Sequence, residues 1–236
     1  MERVGFFVEA ELPPNVKKLL LNLGKMLHED FELDMIGKFT PSDELLDYYD
    51  HRCYTGVKGA EGLQRIKQGY INCREYCMRE DPDALIQLII YPVYAPIISL
   101  VGDDLSVPTA VRIPEDTFKE YRVRDYDLLE LSKILFMNNV VGRLPLKKAD
   151  RVIVLTDHLK KEAISRGCSE DKIRKIPQPI DTEKFSPVDE KTKLNIRDGL
   201  GLPRDNKIAL TVGRLDRTKG LPMLERAVSK VDDDIV

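Results

Sequence analysis

Apolar residues along this chain alternate between short continuous runs and stripes at helical spacing. Residues 4–8 form a short run. Behind them Val16, Leu19, Leu20, Leu23 and Leu27 share one helix face while Lys17 and Lys18 point away. Residues 31–36 make a second run, so the chain opens β-α-β, the unit of a parallel sheet with right-handed crossovers. Residues 41–59 have no clear period and read as a loop or irregular helix. A helical pattern over 62–78 ends at Pro82-Asp83, and residues 84–90, Ala-Leu-Ile-Gln-Leu-Ile-Ile, read as a strand buried on both faces. A buried helix over 94–101 and a strand over 107–113 follow, then the polar turn Pro114-Glu115-Asp116-Thr117.

The spacing over 127–144 predicts one long helix with Leu128, Leu131, Ile134 and Leu135 towards the core, ahead of a strand at 151–156. Thr156 or Asp157 can cap the next helix, whose Leu159, Ala163 and Ile164 face inward and whose left-handed stop is Gly167. Pro177, Pro179 and Pro187, followed by a charged stretch to Asp205, mark a surface connection. An apolar run at 208–212 then opens into Gly213-Arg214 and Lys219-Gly220 before an amphipathic segment, which reads as strand, cationic loop and helix start. The fold class is therefore α/β, with a Rossmann-like parallel sheet domain at 1–187, a linker at 188–204 and the opening of a second such domain at 205–236.

Composition narrows the function classes. With 42% hydrophobic and 33% charged residues among 236, the chain reads as soluble and globular, and a net charge of -3 supplies no general basic field, which argues against nucleic acid as a partner. The longest apolar stretch, 84–101, is broken by Gln87, Pro92 and Pro96, short of the roughly eighteen apolar residues of a membrane span. The first residues, MERVGFFVEAELPP, lack the pattern of a signal peptide, so a cytoplasmic location is expected. His28, His51 and His158 have no metal spacing and read as surface residues, and Cys73 and Cys77 share a helix face without two further ligands. No metal and no cofactor are expected.

Three blocks carry a family resemblance. Ala149-Asp150-Arg151-Val152-Ile153-Val154-Leu155-Thr156 through Gly167 is similar to an "AD-x-V-I-x-x-S" strand and helix. Lys172-Ile173-Arg174-Lys175-Ile176-Pro177 with Asp181-Thr182-Glu183-Lys184-Phe185-Ser186-Pro187 resembles a "K-I-x-V-I-P-N-G-V-D-T-x-x-F-x-P" segment. Val212-Gly213-Arg214-Leu215 to Lys219-Gly220 is similar to a "V-G-R-L-x-x-x-K-G" loop. In this order and spacing they resemble the retaining GT-B glycosyltransferases of the large group called family 4. The resemblance implies two Rossmann-like domains facing a cleft, the first holding an acceptor and the second most of a nucleotide-sugar donor. It further implies transfer of the sugar to an acceptor hydroxyl with retention, the leaving phosphate itself helping to deprotonate the acceptor.

By that resemblance Arg214 and Lys219, with Gly213 and Gly220 beside them, hold the donor diphosphate, since no carboxylate cluster suggests a metal to do so. Asp116 either orients an acceptor hydroxyl as the catalytic-site carboxylate or caps a helix over 117–121. Glu115 lies with it on the acceptor side, and Arg112 either reaches an acceptor phosphate or pairs with a neighbouring acid. The expected partners are a nucleotide sugar and a carbohydrate or lipid-linked acceptor; the small basic cluster Arg143, Lys147 and Lys148 either touches a membrane surface, as the resemblance to enzymes with lipid acceptors allows, or is simply solvated. The oligomeric state is left open.

The sequence also departs from the family. The first loop, Glu9-Ala10-Glu11-Leu12-Pro13-Pro14, is acidic where glycines are usual, which disfavours a phosphorylated acceptor, and Gln178-Pro179 replaces Asn-Gly at the hinge. The paired glutamates of the second domain have no counterpart. The last thirty or so residues are too few to bury a Rossmann core, so they are expected to dock on the first domain or to be poorly ordered, and the chain alone to be nearly inactive. Two other readings stay open: a non-catalytic domain that binds a carbohydrate or a protein, and part of a GT-B sugar-nucleotide epimerase or phosphorylase-like enzyme.

Overall fold

The computed structural model describes residues 1–8, 11–56, 62–116, 118–119, 122, 126–213 and 220–230. Its centre is a seven-stranded sheet in the order β3-β2-β1-β4-β5-β6-β7, every neighbouring pair parallel. The strands are β1 (Glu2–Phe7), β2 (Phe31–Ile36), β3 (Asp50–Arg52), β4 (Ala84–Gln87), β5 (Thr109–Ile113), β6 (Arg151–Val154) and β7 (Ile173–Lys175). The helices are α1 (Pro14–Leu27), α2 (Asp43–Leu46), α3 (Gly62–Glu80), α4 (Ala95–Leu105), α5 (Leu128–Phe136), α6 (Arg143–Lys148), α7 (Asp157–Ser165), α8 (Glu190–Gly199) and α9 (Leu221–Val228). This is the expected α/β, Rossmann-like architecture.

Alternation along β1 builds the core. Gly5 and Phe7 face Tyr76 of α3 and Tyr94 ahead of α4, whereas Phe6 on the opposite face meets the Tyr49 ring edge-on. Leu19 and Leu20 of α1 are buried with them, and Val16, Leu23 and Leu27 pack alongside, as the stripe predicted. Beneath α3 sits a buried carboxylate, Asp34, which accepts from Tyr76 Oη at 2.8 Å and Arg52 Nε at 3.1 Å. These donors let β2 carry an acid at a buried position.

Several expectations need correction. Residues 41–59 contain β3, a polar edge strand that periodicity cannot reveal because its stability comes from pairing with Asp34, Met35 and Ile36 of β2. The 84–90 run is a strand only to Gln87, after which Ile90 takes a left-handed conformation at φ 56°. The single helix expected over 127–144 is α5, a π-helical turn at Met137–Val141 and α6, and none of the residues of α5 is buried: Leu128 is 85% exposed. Ile164 of α7 is likewise exposed, although Thr156 caps that helix and Leu159 and Ala163 are buried as read.

The chain divides into two compact units, residues 1–121 with 126–179, and residues 122–125 with 180–236. The second unit contains α8, capped by Asp189 through the Thr192 amide, inside the stretch read as linker. Residues 208–212, read as a strand, form none; a parallel strand exists only where a neighbour supplies its hydrogen bonds, and none of the described residues pairs with them. Gly220, at φ 76°, starts α9 where the sequence places a helix start.

Candidate functional site

A cavity of about 600 Å³ opens beyond the carboxyl ends of β4, β5 and β6, within the first unit. Its wall takes Glu11, Pro13, Asn15, Val16 and Leu19 from the loop before α1 and its first turns. Leu88, Ile89, Ile90 and Tyr91 follow β4, Pro114 and Glu115 follow β5, Leu155 follows β6 and Gln178 comes after β7. Strand exits spread apart here because each chain must leave the sheet for its crossover helix, and open parallel sheets place their ligands at this end.

Gln87, the one polar residue in an apolar run, shapes the wall. Fully buried, its Oε1 accepts from the Arg112 amide at 3.1 Å and its Nε2 donates to the Ile89 carbonyl at 2.6 Å. The side chain thus continues the β4–β5 ladder one step past the strand, freeing residues 88–91 to turn away as the cavity rim. Tyr91, following the left-handed Ile90 and joined to Pro92 by a cis peptide, donates its hydroxyl to the Gly142 carbonyl, and burial pushes its phenol well above the usual tyrosine range.

Arg112 is the charge of this wall. It is 7% exposed, and its guanidinium donates from Nη1 to the Leu88 carbonyl at 3.1 Å and from Nη2 to Gln178 Oε1. Both acceptors are neutral, and among the described residues no carboxylate lies within ion-pair distance of it. Burial holds its pKa below the ordinary arginine value, yet an arginine stays charged. Among the described residues, then, the pairing with a neighbouring acid that the sequence left open is not seen.

Glu115 lines the cavity, while Asp116 lies just beyond it. Asp116 Oδ2 is 2.8 Å from His158 Nε2, on the first turn of α7, and its Oδ1 is buried with no partner among the described residues. His158 is exposed, as the surface reading expects, and neighbouring strand exits, β5 and β6, bring it against the Asp116 turn. Residues 117, 120 and 121 lie outside the described residues, so the capping alternative for Asp116 is not visible. The same holds for Arg214 and Lys219, while Gly213 and Gly220 stand at either end of that loop.

Gln87, Gln178 and His158 are the residues that sequence reasoning missed. Their signals were present: a lone amide in an apolar strand, a side chain in place of the hinge glycine motif, and a histidine two residues past a strand-end cap. Among the described residues no group of three or more His, Cys, Asp or Glu could hold a metal ion, and no helix is long and apolar enough to cross a membrane.

No protein-family model matches the chain. One curated relative, the D-inositol 3-phosphate glycosyltransferase of Corynebacterium jeikeium, is 35% identical over 89 residues, which is 36% of this chain and 20% of that protein. Among solved structures, Anabaena HepE in complex with UDP-glucose matches all of this chain and 59% of its own at a TM-score of 0.64 and 13% identity. The UDP-GlcNAc 2-epimerase of Neisseria meningitidis bound to UDP-GlcNAc matches 97% of this chain and 62% of its own at a TM-score of 0.55 and 16% identity. The chain thus spans a fifth of the curated relative's length and about three fifths of these structures'. At such identities the structural matches establish the fold, a Rossmann-like α/β architecture common to glycosyltransferases and sugar-nucleotide epimerases.

Proposed function

We propose that this chain forms the acceptor side of a glycosyltransferase that takes a sugar from a nucleotide diphosphate and passes it, with retention, to an acceptor hydroxyl. The observation that carries the reading is the cavity at the strand exits, walled by a buried cation and two carboxylates in a fold similar to HepE, which was crystallised with UDP-glucose. The curated relative, a glycosyltransferase by name, supports the same class. In this reading Arg112 and Glu115 contact the acceptor, Asp116 orients its hydroxyl, and Gly213, Arg214, Lys219 and Gly220 embrace the donor diphosphate. No metal or organic cofactor takes part; the two cations stabilise the departing phosphate. Residues 1–187 carry the acceptor side, 188–204 link, and 205–236 open the donor side. The acceptor is a carbohydrate, free or lipid-linked, and in the latter case the exposed Arg143 and Lys147 face anionic lipid.

The test is UDP binding by the full chain, followed by calorimetry, beside Arg214→Ala and Lys219→Ala. Each loss of a charged phosphate contact should weaken binding by about 2–3 kcal/mol. Equal affinity in all three proteins would reject the donor-loop assignment. A second reading, a sugar-nucleotide epimerase, is favoured by the match to the UDP-GlcNAc 2-epimerase. Incubation with UDP-GlcNAc separates the two, because an epimerase inverts C2 without any acceptor, whereas a transferase leaves the donor intact until an acceptor is added.

A further inference from the structure

Arg112 is a buried charge whose side chain meets only neutral acceptors among the described residues. A guanidinium carries five N–H donors and a charge that burial makes costly unless an anion or a dense set of acceptors answers it. Arg112 lies almost wholly out of water, lines the cavity, and is met by one backbone carbonyl and one amide oxygen. The amide belongs to Gln178, an exposed residue between two prolines near the end of the first unit, so its side chain can swing into solvent at little cost. Val16, Leu19, Leu88 and Ile89 of the same wall limit water there, which strengthens any charge-assisted bond formed inside.

We propose that Arg112 seats an oxyanion, the phosphate or carboxylate of a hydroxylated ligand, and that Gln178 Oε1 holds that place until the ligand displaces it. The proposal rests on the reading of the cavity as the acceptor pocket and names the acceptor class: a polyol or sugar with one anionic group. Glu11 and Glu115 on the same wall repel anions and accept hydrogen bonds from hydroxyls. They therefore set the orientation, with the anion at Arg112 and the hydroxyls towards the acids. The acidic first loop, which by sequence disfavours a phosphorylated acceptor, becomes in this arrangement a device that orients one.

The test measures binding of glucose 6-phosphate, glucuronate and glucose to the full chain by calorimetry at low and moderate salt. Glucose 6-phosphate or glucuronate should bind at least about tenfold tighter than glucose, with a preference that shrinks as salt rises, and the better of the two identifies the oxyanion. Gln178→Ala, which removes the placeholder, should leave anion binding equal or tighter. Gln178→Glu supplies an internal carboxylate to the same guanidinium and should weaken it by about tenfold or more. Arg112→Gln should abolish the preference for the anion; because that variant replaces a buried group, the two Gln178 variants, altered at an exposed residue, keep the test independent of folding. Equal binding of charged and neutral sugars, or a Gln178→Glu protein that binds glucose 6-phosphate as well as the parent, would overturn the oxyanion seat while leaving the acceptor pocket standing. Failure of all three sugars to bind would overturn both.

Discussion

Replacing Gln87 by methionine tests how the cavity wall is held. Methionine keeps the length and much of the volume of glutamine, so it leaves no large void at this fully buried position, but it can neither accept from the Arg112 amide nor donate to the Ile89 carbonyl. Two backbone groups then lose their partner where water does not replace it. At about 1–3 kcal/mol for each unsatisfied buried group, the loss should come to about 2–6 kcal/mol, a large part of the roughly 5–15 kcal/mol that holds a domain together. Urea denaturation of the parent and variant gives the difference, and hydrogen exchange at the Arg112 amide reports it locally, where protection should fall. A loss below about 0.5 kcal/mol with that amide still protected would refute the idea that the side chain stands in for the strand.

Two further outcomes follow from the core. Burial pushes the phenols of Tyr49, Tyr76 and Tyr91 well above the usual tyrosine range, Tyr76 also facing the Asp34 carboxylate, so these groups stay neutral in the fold and ionise near pH 10 once unfolded. Their contribution is intact below that pH and is lost as pH rises above it, by about 1.4 kcal/mol per pH unit for each phenol; urea midpoints that stay flat up to pH 11 would contradict it. Gly5→Ala places a Cβ 2.5 Å from Tyr76 Cε1 and 2.8 Å from Ile36 Cδ1, with the Tyr76 ring fixed by its bond to Asp34. Overpacking of that kind costs about 1–3 kcal/mol, and an unchanged urea midpoint would show that the ring moves freely.

Local pattern alone determined the α/β class, the limits of β2, the inward stripe of α1 and a cap for α7 at Thr156 or Asp157, between which the structure chose Thr156, because helical spacing, apolar runs and caps are properties of neighbours in sequence. It could not foresee β3, whose polar residues are held by the edge they join, nor that the apolar spacing of α5 would leave none of its residues buried, nor that residues 208–212 would find no strand partner among the described residues. The site shows the same division. Arg112, Glu115 and Asp116 were legible as polar residues at a strand exit, but the partners of the Arg112 guanidinium lie 24 and 66 residues away and that of Asp116 lies 42 away. Only the parallel sheet, by laying the carboxyl ends of distant strands side by side, decides which of these groups meet, and a buried charge takes its chemistry from whatever it meets.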